Sequence, residues 1–341
     1  MRGKRALKNI FASIIQNLVV ILCGFIVPKL IITHYGSNVN GLINSITQFL
    51  AYISLLDTGI GAVVKSKLYK PIANNDKHEI ENILGAISKF YKVLAGIFLV
   101  YIIGLCFVYP MLVNKEFDNL FTISLLVIIS FSTMAEYLFG LTYSIFLQAD
   151  QKTYINVYFR IITIILNTIG TVALVLIGTN ILLVKMLSSI FFVLRPLTLK
   201  LFINKKYNFN IKNDDKDYKL ENKWDGLAQH IASVVHGNTD IAVLTIFSNL
   251  IEVSVYSIYA MVISGVKNFV EALIGGIDAT FGDMIAKNEK QALNDSFRLY
   301  ETLYITIVTI VFSCTLILIV PFVKIYTSGI TDADYIRPTF S

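Results

Sequence analysis

The sequence predicts an all-α polytopic membrane protein of about nine transmembrane helices, and three observations carry that reading. Apolar residues make up 55% of the chain and charged residues 15%, with a mean hydropathy of +0.67, whereas a soluble domain has about 45–50% and about 25%. Apolar runs of about 20 residues recur along the whole chain, each long enough to cross a hydrocarbon layer about 30 Å thick. Lysine and arginine gather in alternate joints between those runs. Lipid offers peptide groups no hydrogen bonds, so each crossing must satisfy its backbone internally, and long unalternating runs do so as helices rather than barrel strands.

The spans fall near residues 9–33, 41–64, 90–112, 120–147, 154–178, 181–203, 226–249, 253–285 and 297–323. The first follows Arg2, Lys4, Arg5 and Lys8. It is too long for a signal-peptide core and no A-x-A-like site follows, so it is expected to stay as an uncleaved anchor. Cys23, Cys106 and Cys314 fall inside spans, which gives neither a disulfide framework nor a zinc-ligand pair.

Orientation follows from the joints. One set holds the four basic residues of the amino terminus, Lys65, Lys67, Lys70 and Lys77, then Lys152, the lysines from Lys200 to Lys223, and Lys287, Lys290 and Arg298. The opposite set offers Lys115, Lys324 and Arg337. Basic residues near span ends are retained on the cytoplasmic side, so the amino terminus is expected in the cytoplasm. The net charge of +6 then reads as anchoring to anionic membrane lipids, with no nucleic-acid partner.

The polar stretch from Lys205 to Lys223 divides the chain. Residues 1–204 are expected to form a six-helix lobe, 205–224 a cytoplasmic linker, and 225–341 the start of a second lobe. Spans one and two resemble spans seven and eight weakly, a six-span repeat common among transporters. On that plan about three or more further spans should follow Ser341, so the sequence is expected to be a piece of a longer protein.

Ionisable groups inside spans are costly and usually face a polar cavity or a partner. The basic ones are Arg160, Lys185, Arg195 and Lys267. Lys185 and Lys29 lie near the end of a span and can snorkel instead. Arg195 precedes Pro196, whose missing amide proton kinks the helix. Lys267 and Glu271 are four residues apart and Asp278 lies on nearly the same face, which makes a polar stripe readable as an intrahelical ion pair or as a pathway lining. His236 and Asp240 form a second pair four residues apart, and a carboxylate beside a histidine can take up a proton near neutral pH. Asp57 and Glu136 are further candidates for proton or sodium coupling, although Asp57 can equally cap its helix or bridge to Lys65 or Lys67. There is no P-loop, the spacing of His230 and His236 does not favour a metal, and no cofactor is expected.

Four segments resemble a known family. They are LLDTGIGAVVKSKLYKPIANNDKHEI at 55–80, LQADQKTY at 147–154, NKWDGLAQHIASVVHGNTDIAVLT at 222–245 and YTSGITDADYIRP at 326–338. In order along the chain they resemble the Wzx-type polysaccharide flippases, which move capsule or O-antigen repeat units and belong to the MOP superfamily with MATE-like architecture. The resemblance implies a two-lobe transporter of the bacterial cytoplasmic membrane. Its substrate would be an undecaprenyl-diphosphate oligosaccharide, its drive an H+ or Na+ gradient, and its partners polysaccharide polymerase or assembly proteins. Arg160, Lys267, Arg195 and Lys185 would then line a cavity that attracts the diphosphate. The alternatives are a cation-coupled exporter of small amphiphiles on the same fold, and a membrane glycosyltransferase or polymerase, which the short outer joints disfavour.

Overall fold

The computed structural model describes residues 2–57, 60–113, 116–209, 227–274, 281, 284 and 289–337, with the backbone alone at 2–7, 57, 227–231, 233, 234, 236, 238 and 272–274. Among the described residues the regular structure is helical. The helices are α1 (Arg2–Tyr35), α2 (Ser37–Ala51), α3 (Ile60–Asn74), α4 (Lys77–Val113), α5 (Asn119–Ala135), α6 (Leu141–Ala149), α7 (Thr153–Leu176), α8 (Ile181–Tyr207), α9 (Leu227–Phe247), α10 (Leu250–Ile274) and α11 (Lys290–Tyr326). Among the described residues eight segments are long and apolar enough to cross a membrane. The protein is therefore an all-α, multi-pass membrane protein.

Six of the nine expected spans appear within a few residues of their sequence positions, allowing for α1, α4 and α11, which run on past the apolar segment, and the eighth does so at its start, its expected end at 285 lying outside the described residues. The second and seventh depart from expectation. Residues 41–64 do not form one helix: α2 ends at Ala51 and tightens into a 3-10 turn at Tyr52–Asp57 before α3 begins at Ile60. The break approaches Asp57-Thr58-Gly59, three residues of low helix propensity. The seventh is a helix, α9, but it carries Gln229, His230, His236, Asn238 and Asp240 and is not one of the eight apolar crossings.

The joints explain the path of the chain. Gly36, at φ +88°, turns α1 into α2, where most side chains would be strained. Asp76 Oδ1 accepts from the Glu79 amide, Asn180 Oδ1 from Leu182 and Asn249 Oδ1 from Glu252, so three helices start on a side-chain cap. Asn208, in the left-handed region, ends α8.

Packing runs from α1 to α7, α7 to α8, α8 to α5 and α5 to α4, while α3 lies on α4 and α6. A large core cluster fills this group around Tyr91, Phe98, Tyr109 and Phe146. A smaller one joins Val255, Ile258 and Tyr259 of α10 to Ile319 and Val323 of α11, with Ile32 of α1. The apolar stretches of α1 and α11 bury little, and Phe107, Met111, Leu176 and Ile317 are exposed. Such side chains on a multi-pass protein are solvated by acyl chains. The four helix boundaries at residues 75, 151, 208 and 289 share one face with the amino terminus, here the N face, and those at 36, 116, 178, 249 and 327 share the opposite face.

Candidate functional site

The two groups of helices meet along α1 and α2 on one side and α9, α10 and α11 on the other. Toward the opposite face they are tied together. Asn40 donates to Ser254 Oγ at 2.8 Å, Asn44 to Ser257 Oγ at 3.3 Å, and Ser45 shares a hydrogen bond with Thr245 at 2.7 Å. Gly41 permits the approach, because a Cβ there would lie 1.8 Å from the Leu250 carbonyl oxygen.

A short strap after α11 covers this seam. The Asp332 carboxylate accepts from the Ser37 amide at 2.6 Å and from the Ser37 hydroxyl at 2.9 Å. Tyr335 bridges Ser37 at 2.6 Å and Ser254 at 2.9 Å. Burial pushes the Tyr335 phenol up from its ordinary value, which keeps it protonated and able to donate. Arg337 reaches Glu252 at 3.1 Å and Asp334 at 3.0 Å, while Lys29 donates to the Ser328 carbonyl at 2.9 Å. These bonds satisfy the buried hydroxyls of Ser37, Ser45, Ser254 and Tyr335, as a closed seam requires.

Toward the N face the same two groups part. A cleft of about 430 Å³ lies between α1 and α10, lined by Asn9, Ile10, Ser13, Ile14, Gln16, Asn17, Asn268 and Glu271. Its polar side chains sit at positions 9, 13, 16 and 17 of α1, one helical face in an otherwise apolar span. Lys267 stands beside it. Its amine is 3.9 Å from Glu271 Oε1, with both side chains more than 60% exposed, so the pair is accessible from the cleft rather than fused into a core.

The other buried-charge candidates gather in the first group of helices. Arg195 Nη2 of α8 pairs with Glu136 Oε2 at 2.7 Å. Glu136 opens a π turn, Glu136–Gly140, inside the fourth span. Its carboxylate folds over Gly140, where a Cβ would come within 2.6 Å of it. Arg160 of α7 is exposed and its charge interacts with both Arg195 and Glu136. Two cations thus act on one carboxylate, which Arg195 contacts directly, leaving one net positive charge. Lys185, half-buried on α8, makes no hydrogen bond or ion pair among the described residues. Ser189, one turn on, donates to the Ile128 carbonyl of α5.

The remaining sequence-derived candidates are scattered. Asp240 is exposed on α9 and accepts a hydrogen bond from Tyr256 of α10. The side chains of Asp57 and His236, and the whole of Asp278, lie outside the described residues. Lys267 and Glu271 are brought to the α1–α10 cleft, Glu136, Arg195 and Arg160 are brought to each other, and Asp240 and Lys185 join neither group. The polar faces of α1 and α2 escaped the sequence reading. Their signal was available as Asn9, Ser13, Gln16 and Asn17, and as Ser37, Asn40, Asn44 and Ser45, at helical spacing in apolar spans. Among the described residues no group of His, Cys, Asp and Glu is arranged to hold a metal ion.

Among the described residues the two groups of helices are thus closed on each other toward one face and separated by a cleft toward the other. Among solved structures the fold is similar to an outward-facing multidrug resistance MATE family transporter of the MOP superfamily, with TM-score 0.56 and 13% identity over 96% of this chain and 75% of that one. It is also similar to an inward-facing multidrug resistance MATE family transporter of the MOP superfamily, with TM-score 0.53 and 12% identity over 95% of this chain and 75% of that one. No family model and no curated protein matches the sequence.

Proposed function

We propose that this protein is a transporter that moves a lipid-linked oligosaccharide, carried on undecaprenyl diphosphate, across the bacterial cytoplasmic membrane for surface polysaccharide assembly. The observation that carries the reading is the hydrogen-bonded seam at one face combined with the amide-lined cleft at the other. Side-chain amides hold a donor and an acceptor side by side, which suits the hydroxyls of a sugar. Gln16, Asn17 and Asn268 supply three of them, while the Asn9 amide is held by the Gln151 carbonyl and the Tyr154 amide.

The cleft lies beside lipid-facing Ile10 and Ile14, which are exposed, so a polyprenyl tail could stay in the bilayer while the polar head enters. The resemblance to the Wzx-type flippases supports the diphosphate as that head group. Lys267 at the cleft and the net positive charge of Arg160, Arg195 and Glu136 are the cations offered to it, with Lys185 nearer the opposite face on α8. In this reading the first six spans (1–204) and the chain from 225 onward rock as two lobes about the linker 205–224. The basic joints support a cytoplasmic N face, on which the cleft would face inward. Asp240, His236, Asp57 and Glu136 are the groups through which H+ or Na+ would couple, and the work is transport rather than catalysis. A polysaccharide polymerase or assembly protein would receive the product.

The test is a leaflet assay with the full-length protein in proteoliposomes containing a fluorescent undecaprenyl-diphosphate oligosaccharide. Arg160→Gln with Lys267→Gln is expected to slow its movement at least about tenfold, from about 1.4 kcal/mol of lost attraction. If the labelled lipid does not move, and ethidium is exported instead with no effect of the two substitutions, the cation-coupled amphiphile exporter replaces this reading. The multidrug neighbours on the same fold make that exporter the second reading.

A further inference from the structure

A second polar cavity lies away from the cleft, and we propose that it binds the phosphate of an anionic phospholipid from the N-face leaflet. It occupies about 210 Å³ between α4, α6 and α8, and its polar lining is Ser88, Lys92, Thr142, Tyr143, Lys200 and Asn204. The chemistry is that of an anion site: two ammonium groups and three hydroxyls converge, and no carboxylate lines the space. Lys200 is held over the Phe139 ring at 4.9 Å, a contact that positions the amine without neutralising it.

Depth selects a lipid. Thr142 and Lys200 each precede the end of their helix by seven residues, Ala149 and Tyr207, which is about 10 Å at 1.5 Å per residue. That places the cavity below the ends of the helices and near the headgroup level. Lys92 is exposed, so the cavity communicates with the perimeter of the protein. Leu138 and Phe139 form its apolar wall, against which the glycerol end of an acyl chain would rest. A freely diffusing phosphate has no use for that wall.

One further feature narrows the headgroup. Tyr143 hydrogen-bonds Asn204, yet Asn204 Oδ1 is buried with no partner. An orphan acceptor beside an anion site calls for a hydroxyl donor attached to the anion. A phosphate esterified to a polyol, as in phosphatidylglycerol, presents both groups together. The site does not depend on which substrate the cleft carries, because no residue lines both spaces.

The experiment titrates phosphatidylglycerol into phosphatidylcholine vesicles holding the full-length protein and reads the melting temperature and the lipid retained in native mass spectrometry. The wild type is expected to gain stability and retain phosphatidylglycerol. Lys92→Gln with Lys200→Gln is expected to need about 25-fold more, at roughly fivefold per lysine near the surface. Lys92→Gln alone, at an exposed position that leaves the core untouched, should need about fivefold more and keeps the test readable if the double variant does not fold. Lys77→Gln, on the same face but outside the cavity, should behave as wild type. Equal titrations for wild type and Lys92→Gln overturn the proposal. So does an equal stabilisation by inorganic phosphate in pure phosphatidylcholine, which would mark a soluble anion as the occupant.

Discussion

Glu136 Oε2 and Arg195 Nη2 meet at 2.7 Å although they belong to different membrane-spanning helices. Both side chains are largely withdrawn from the surface, at 26% and 17% exposure, so neither charge has water as a substitute partner. Removing Glu136 leaves Arg195 without its partner at a cost of about 3 kcal/mol, whereas removing Arg195 leaves Glu136 the charge of Arg160. Glu136→Gln is expected to lower stability by that order and Arg195→Gln by less. The double variant should recover part of the loss, and a double-mutant cycle by thermal or denaturant unfolding measures the recovery. Strict additivity of the two single effects would show that the pair is not coupled.

Gly140→Ala tests how that pair is positioned. A methyl group there would sit 2.6 Å from the Glu136 carboxylate, which is the far end of a flexible side chain and can swing aside. The expected result is a variant that folds but has lost the contact to Arg195, with a stability deficit close to that of Glu136→Gln. An unperturbed melting temperature would contradict the geometry.

The seam offers a different outcome, because its steric limit is backbone. A Cβ on Gly41 would overlap the Leu250 carbonyl, and neither helix can give way without separating. Gly41→Ala is expected to part α2 from α10 at the opposite face. With Ser257→Cys as a reporter, a membrane-impermeant maleimide added from that face should then react at least about tenfold faster, corresponding to about 1.4 kcal/mol of lost closure. Asp332→Asn, which weakens the strap at Ser37, should move the rate in the same direction by a smaller factor. Labelling as slow as in the parent would mean that the seam does not depend on this approach.

Lys267 and Glu271 should show the converse of the Glu136 result. Because both are exposed and on one helix, their pairing contributes about 0.5 kcal/mol at most. Lys267→Gln and Glu271→Gln are expected to leave the melting temperature within about 2 °C of wild type. A much larger shift would place the pair in the packed interior. A transport defect in either variant can then be attributed to the cleft.

What the sequence disclosed follows the range of the interactions involved. Apolar run length is local information, and α5, α7 and α8 begin within one residue of the expected starts at 120, 154 and 181. The Lys267–Glu271 pair was equally legible, since four residues of helix bring two side chains together whatever surrounds them. Arg195 and Glu136 are 59 positions apart, and nothing in either segment names the other. The tightening at Tyr52–Asp57 and the π turn at Glu136–Gly140 were missed because hydropathy averages over the hydrogen-bond ladder and is blind to its pitch. The strap after α11 was invisible for another reason: Asp332 and Tyr335 gain meaning only from Ser37 and Ser254, which the fold delivers from distant parts of the chain.

At the π turn the Leu141 amide reaches back five residues to the Glu136 carbonyl, so this stretch holds one residue more than a regular ladder needs. That surplus makes the fourth span tolerant of shortening at a single place. Deleting a residue between 137 and 139 would let the ladder close in ordinary α-helical register with the packed faces above and below still in phase. The same deletion elsewhere in the span would turn one half against the other by about 100°. Length variation among descendants of this chain should therefore collect at that point.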